Sequence, residues 1–160
     1  MEMNLVEKFG IKSAMEPVDM NTAAITGARI SMASSNKVAV VVNMGDSVAA
    51  VADFTLKQHN AASAGTSKDL SIMNSYFVKA GAATSFTKVS PTVAAANYVL
   101  SSTFAAEPGI VVFEINAEDL DVNGGFTHIS LDIADSTAAK LCSVLYFAEK
   151  EYIPAYNIAL

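Results

Sequence analysis

From residue 21 onward the chain alternates short β-branched and aromatic runs with clusters of Gly, Asn, Asp, Ser and Pro, the pattern of an all-β sandwich or barrel. The runs predict strands over Ile25 to Met32, Lys37 to Asn43, Val51 to Gln58, Met73 to Lys79, Ser85 to Val89, Tyr98 to Ser101, Ile110 to Ile115, Phe126 to Ile133 and Cys142 to Ala148. In Val51 to Gln58, Ala52, Phe54 and Leu56 share one face while Asp53, Thr55 and Lys57 share the other, so this strand has one wet side. Val38 to Val42 and Ile110 to Ile115 are apolar on both faces, which a strand tolerates only when covered on both sides. One cover is the core, and a neighbouring subunit is a candidate for the other.

The two ends break this pattern. Asn4 to Lys12 suits either one or two amphipathic helical turns or an extended segment, and Pro17 stops any helix soon after. Residues 1–20 are therefore expected to be an extended N-terminal arm, residues 21–150 an antiparallel, jelly-roll-like β-sandwich, and residues 151–160 a C-terminal tail. The tail is apolar and aromatic but interrupted by Pro154, so it is not a central strand, and it can lie on its own sheet or on an adjacent copy. Leu5, Val6, Phe9 and Ile11 in the arm and Tyr152, Ile153, Tyr156 and Ile158 in the tail are the candidate partner contacts. His59 to Lys68, rich in Ala, Ser, Gly and Thr, reads as an exposed loop between strands.

Composition narrows the function classes. A chain of 160 residues suits one domain with its own core. Charged residues make up only 16% against 52% hydrophobic, which suggests that neighbours cover much of the surface. No window approaches the roughly 18 to 20 continuous apolar residues of a membrane helix. The start Met1-Glu2-Met3-Asn4 lacks the form of a secretory signal, so the expected place of synthesis is the cytoplasm. A net charge of −6, ten scattered basic residues and a single arginine, Arg29, argue against nucleic-acid binding. Cys142 is the only cysteine, which excludes an internal disulfide, and its apolar surroundings predict a buried thiol.

Candidate chemistry is sparse. Asp119-Leu120-Asp121-Val122-Asn123-Gly124 matches the first half of an EF-hand calcium loop, making Asp119, Asp121 and Asn123 candidate ligands. The second half fails, because Ser130 stands where a bidentate Glu is needed, and a bare turn with Gly124-Gly125 explains the same residues. His59 and His128 have no Cys, second His or carboxylate at ligand or triad spacing, and His128 falls on an outward strand position. Glu107 and Glu114 have no partner acid in a shared pattern. No nucleophile elbow, P-loop or dinucleotide fingerprint occurs, so the expectation is a protein that is not an enzyme and needs no cofactor.

The stretch Glu114-Ile115-Asn116-Ala117-Glu118-Asp119-Leu120-Asp121-Val122-Asn123-Gly124-Gly125-Phe126, followed by Ile133-Ala134-Asp135 and Leu145-Tyr146-Phe147, resembles a group of small tailed-phage virion proteins. Met15-Glu16-Pro17-Val18-Asp19, Phe54-Thr55-Leu56-Lys57-Gln58 and Thr84-Ser85-Phe86-Thr87-Lys88-Val89 fit the same group, so the resemblance covers most of the chain. It implies a structural component of the virion: a decoration or cement protein on the capsid surface, forming a homotrimer and binding the major capsid protein. The acidic balance suits a face turned away from packaged DNA, and the apolar ends suit contacts between neighbours. Two other readings stay open, a tail or head-to-tail joining protein and a carbohydrate-binding β-sandwich module using the Asp119 to Asn123 turn.

Overall fold

A computed structural model describes residues 5–47, 53–71, 75–92, 94–99, 104 and 106–150. The chain is an all-β sandwich of antiparallel sheets. A four-residue helix, α1 (Leu5–Lys8), leads into β1 (Phe9–Asp19), β2 (Ile25–Thr26), β3 (Ile30–Ser31), β4 (Lys37–Ser47), β5 (Asp53–His59) and β6 (Ser67–Asp69). Then follow β7 (Tyr76–Ala80), β8 (Thr87–Val89), β9 (Asn97–Val99), β10 (Gly109–Asn116), β11 (His128–Ile133) and β12 (Lys140–Glu149). The first sheet runs β1-β12-β4-β10-β7-β8; the second runs β2-β11-β5-β6, with β3 also on β11 and β9 also on β5. If β3, β7, β8 and β9 are set aside and the remaining strands renumbered in chain order, the sheets read 1-8-3-6 and 2-7-4-5.

The period-two pattern translates directly into the core. Val38, Val40, Val42 and Met44 of β4, Val111, Phe113 and Ile115 of β10, and Cys142, Val144 and Tyr146 of β12 are buried alternately along their strands. They meet Phe54 and Leu56 of β5 and Ile129, Leu131 and Ile133 of β11 from the second sheet. Each fully buried side chain of this size contributes roughly 1.5 to 3 kcal/mol of transfer free energy. At one side Phe54, Tyr76, Tyr98 and Phe113 form an aromatic cluster, with the Tyr76 and Tyr98 rings edge-on at 4.7 Å. The Cys142 thiol is buried as expected, and burial pushes its pKa up to about 12.

The segment expected as a free arm is extended, but from Phe9 to Asp19 it is laid down against β12 as the edge strand of the first sheet. Ala14 and Met15 are both buried although adjacent, because bulges between Ser13 and Val18 interrupt the alternation. Pro17 is accommodated here because an edge strand has one row of backbone donors that needs no partner. Phe9 to Asp19 thus belongs to the sandwich. The tail, with Tyr152, Ile153, Tyr156 and Ile158, lies outside the described residues, as do the expected strand limits at Val51, Met73 and Ser101.

One hydrogen bond joins the sheets through the core. Leu56 sends its N–H to Ala96 and receives the Leu70 N–H on its carbonyl, so it turns its polar groups away from β11. Its opposite number, Leu131, therefore also points its N–H away from β5, into the gap between β2 and β3. There it donates to the buried Tyr146 hydroxyl of β12 at 3.1 Å. Gly27 occupies the same gap, where a Cβ would come within 2.3 Å of the Leu131 carbonyl oxygen. Tyr146→Phe keeps the ring and strands the Leu131 donor in a dry core, so the expected loss is about 1 to 3 kcal/mol. Urea denaturation should show a lower midpoint with an unchanged slope, and an unaltered midpoint would mean the donor finds another partner.

Candidate functional site

The two outer faces of the sandwich differ in chemistry. On the first sheet, Lys37, Ala39, Val41 and Asn43 of β4 share the outward side with Ile110, Val112 and Glu114 of β10 and with Leu141, Leu145 and Phe147 of β12. Ile11 lies opposite Phe147 and Phe9 opposite Glu149, so β1 extends the same side. Leu141 is 59% exposed, Leu145 38% and Ile11 44%, which makes this an uncovered apolar face. A groove of about 440 Å³ runs along it, lined by Phe9, Ala39, Val41 and Phe147 with Lys37, Glu114 and Glu149 at its rim. Lys37 and Glu114 pair at 2.8 Å, an exposed contact that orders the rim more than it stabilises the fold.

The candidate contacts Phe9 and Ile11 are therefore brought together with β12 and β4 on one surface, while Leu5 and Val6 stand exposed on α1, which buries nothing. β4, β10 and β12 add to the same apolar surface, and of these only β12 was not expected to be apolar on both sides. For the other two the signal was present in the two-sided apolar runs at Val38 to Val42 and Ile110 to Ile115.

The outer side of the second sheet is polar and carries a buried hydrogen-bond chain. His59, read as the start of an exposed loop, is only 2% exposed, because residues 60–66 turn back over it. Arg29 holds that loop by donating to the Ala61 and Ala64 carbonyls at 2.9 and 2.6 Å, and the Asn60 carboxamide oxygen accepts from the Thr66 N–H. Beneath the loop, His59 Nε2 lies 2.8 Å from Ser130 Oγ and Nδ1 lies 2.7 Å from Ser67 Oγ. Ser130 in turn donates to Asp132 at 3.1 Å, since a carboxylate can only accept. That assigns the tautomer: His59 carries its proton on Nε2 and accepts from Ser67 on Nδ1. Asp132 also receives the Gly27 N–H and pairs with Lys57 at 3.2 Å.

A serine, a histidine and an aspartate in contact invite comparison with an acyl-transfer triad, but the order of contacts is wrong for it. The carboxylate meets the serine and not the imidazole, so the serine proton is directed away from the base. The chain of bonds instead satisfies buried polar groups. His128 pairs in register with His59, is half-buried on the outward side, and has its Nδ1 at 2.9 Å from the Thr127 hydroxyl.

The calcium-like stretch forms two short 3-10 turns, Ala117–Asp119 and Val122–Gly124. Asp119 accepts the Asn116 N–H at 2.7 Å, Asp121 accepts the Gly124 N–H at 2.9 Å and pairs with Lys68, and Asn123 is exposed. Lys68, 4.4 Å from the Phe126 ring centroid, holds the Asp121 carboxyl below its ordinary range, with the Gly124 N–H adding to the effect. Gly125 closes the turn at φ +79°, a left-handed conformation that glycine adopts without strain. Each candidate ligand is thus occupied by the turn itself or faces solvent, and no set of three or more His, Cys, Asp or Glu converges among the described residues.

At one end of the sandwich the basic residue Lys140 is buried, 1% exposed, and its ammonium donates to the Phe104 and Glu107 carbonyls at 3.0 and 2.9 Å. Burial lowers its pKa, opposed by the nearby Asp46 charge. This lysine fastens the approach to β10 to the start of β12. The fold and its surfaces define the class as a β-sandwich with one apolar and one polar outer face. Against known proteins, the chain matches no family model, no curated protein and no solved structure.

Burial, and then the Arg29 charge, lower the His59 pKa, and the same causes with Lys12 lower that of His128. Unfolded histidine takes up its proton near pH 6.5 and the folded rings do so only at lower pH, so their contribution is complete above about pH 6.5 and is lost as pH falls. The urea midpoint should drop between about pH 7.5 and pH 5.5, and His59→Gln should flatten that drop, leaving the share due to His128. A profile identical to that of the unaltered chain would remove His59 from the account. For the Asp119 to Asn123 turn, the expected melting temperature is the same with EDTA and with added calcium. A rise of several degrees with calcium would establish a bound ion.

Proposed function

We infer that this chain is a non-catalytic structural protein of a tailed-phage virion, a decoration or cement protein that stabilises the head by binding the major capsid protein. The observation that carries the reading is the uncovered apolar face of the six-stranded sheet, where Leu141, Leu145, Val41, Val112 and Ile11 stand half-buried or exposed. With 16% charged residues, the chain has little polar material with which to shield such a face, and an assembly would cover it. The likeness of Glu114 to Phe126 and of the flanking segments to small virion proteins points in the same direction. On this reading the eight-strand order is that of a jelly roll, the functional unit is a homotrimer, and the net charge of −6 keeps the outer surface from holding DNA.

The test is to mix purified protein with empty phage shells, size the free protein by light scattering, and count copies on the sedimented particles. Trimers that coat shells in hundreds of copies are the expected result. Rings, or a few copies at one vertex, would move the protein to the tail or its junction with the head. Leu145→Asp combined with Val41→Asp should abolish coating while leaving the melting curve cooperative, because both positions face outward. Coating that survives this pair would show that the apolar face is not the contact.

A further inference from the structure

Edge strands expose a row of unpaired backbone groups, and proteins usually blunt them with prolines, bulges or a covering segment. In β1 that protection is confined to one half. From Ser13 to Asp19 the strand carries two register shifts, Pro17, and a hydrogen bond from the Ala28 N–H to the Ala14 carbonyl at 2.9 Å. From Phe9 to Ser13 the register with β12 is unbroken, and among the described residues the side away from β12 has none of these devices. This regular half sits between two clefts. On its outward side is the apolar groove that includes Phe9 and Phe147. On the other side is a cleft of about 530 Å³ whose polar lining is Lys12, Lys150 and the hydroxyl residues Ser31, Ser34 and Ser35, over an apolar base of Ile11, Ile30 and Ala148 beside Gly10.

We propose that the Phe9 to Ser13 edge of β1 is a strand-addition site for an extended partner segment in which acidic residues alternate with apolar ones. An added strand places successive side chains on opposite sides of the sheet. Residues on one side would continue the apolar face beside Phe9 and Ile11, and those on the other would enter the lysine and serine cleft. Gly10 contributes no side chain there, leaving the space open; a Cβ at that position would meet only Lys150 Cε at 3.7 Å and the Ala148 carbonyl at 3.9 Å. Lys12 gives one N–H to the Arg29 carbonyl and Lys150 one to the Val6 carbonyl, so each ammonium is held in place with donors left for a carboxylate. In a chain of net charge −6 this local excess of positive charge selects the sign of the ligand. The site goes beyond the virion reading and does not depend on it.

The probe is a blocked ten-residue peptide alternating valine and glutamate, titrated by fluorescence anisotropy, with amide exchange followed along β1. Binding that weakens with salt and protects amides between residues 9 and 13 is the expected result. A lysine-for-glutamate version of the peptide should bind at least about tenfold more weakly. The double variant Lys12→Glu with Lys150→Glu should reverse that preference, and the reversal separates a lost site from a lost fold. The proposal is overturned by binding indifferent to peptide charge, by protection that falls elsewhere, or by a dimer whose β1 amides are already protected without peptide.

Discussion

The second sheet has a gap, and the way that gap is closed determines how the two sheets sit on one another. β2 and β3 are both short and leave the middle of β11 without a strand on the side away from β5, just where Leu131 turns its backbone outward. A donor in that position cannot remain unpaired in a dry interior. The partner is the hydroxyl of Tyr146, the largest fully buried side chain among the described residues, and it comes from the opposite sheet. The bond pins β12 to β11, so an inner strand of one sheet is tied to an inner strand of the other. Gly27 follows from the same geometry, because any side chain there would occupy the place of the Leu131 carbonyl.

With the sheets locked in this way, the chemistry of the outer faces becomes a property of whole strands. β4, β10 and β12 are each apolar on both sides, so burying one side in the core necessarily presents the other. β5 and β11 place Thr55, Lys57, Ser130 and Asp132 outward, so the second sheet faces away with a polar surface. On that surface a small-residue loop, anchored by the only arginine, folds over His59 and turns an outward position into a buried one. A molecule with one such apolar and one such polar side is oriented: it has a side to be covered and a side to remain wet.

Much of this was legible in the residue order, and the exceptions have identifiable causes. Alternation marked β4, β5, β10, β11 and β12 because one or both of their sides are core, and burial writes a period of two into the sequence. β1 was hidden because its bulges bring Ala14 and Met15 inward together and because Pro17 reads as a terminator unless the strand lies at an edge. β6, Ser67–Asp69, has all three residues exposed and owes its existence to pairing with β5, so nothing in its composition announces it. The burial of His59 depends on Arg29 reaching a loop more than thirty residues away, a contact that no local pattern encodes. The calcium-like stretch forms a turn whose carboxylates are taken up by neighbouring N–H groups and Lys68, contacts that the Asp spacing alone does not distinguish from a ligand set.

The neighbour of β1 in the first sheet is β12, and Phe9 lies opposite Glu149. The earliest strand thus has its pairing partner at the far end of the described chain. Closing so long a loop is entropically late in folding, and topologies built on such distant pairs fold slowly. During synthesis the first strand would emerge from the ribosome and wait with its apolar residues unsheltered until β12 is released. The remainder of the first sheet, β4, β10, β7 and β8, finds its partners within residues 37–116, so its pairing does not require β12, whereas that of β1 does.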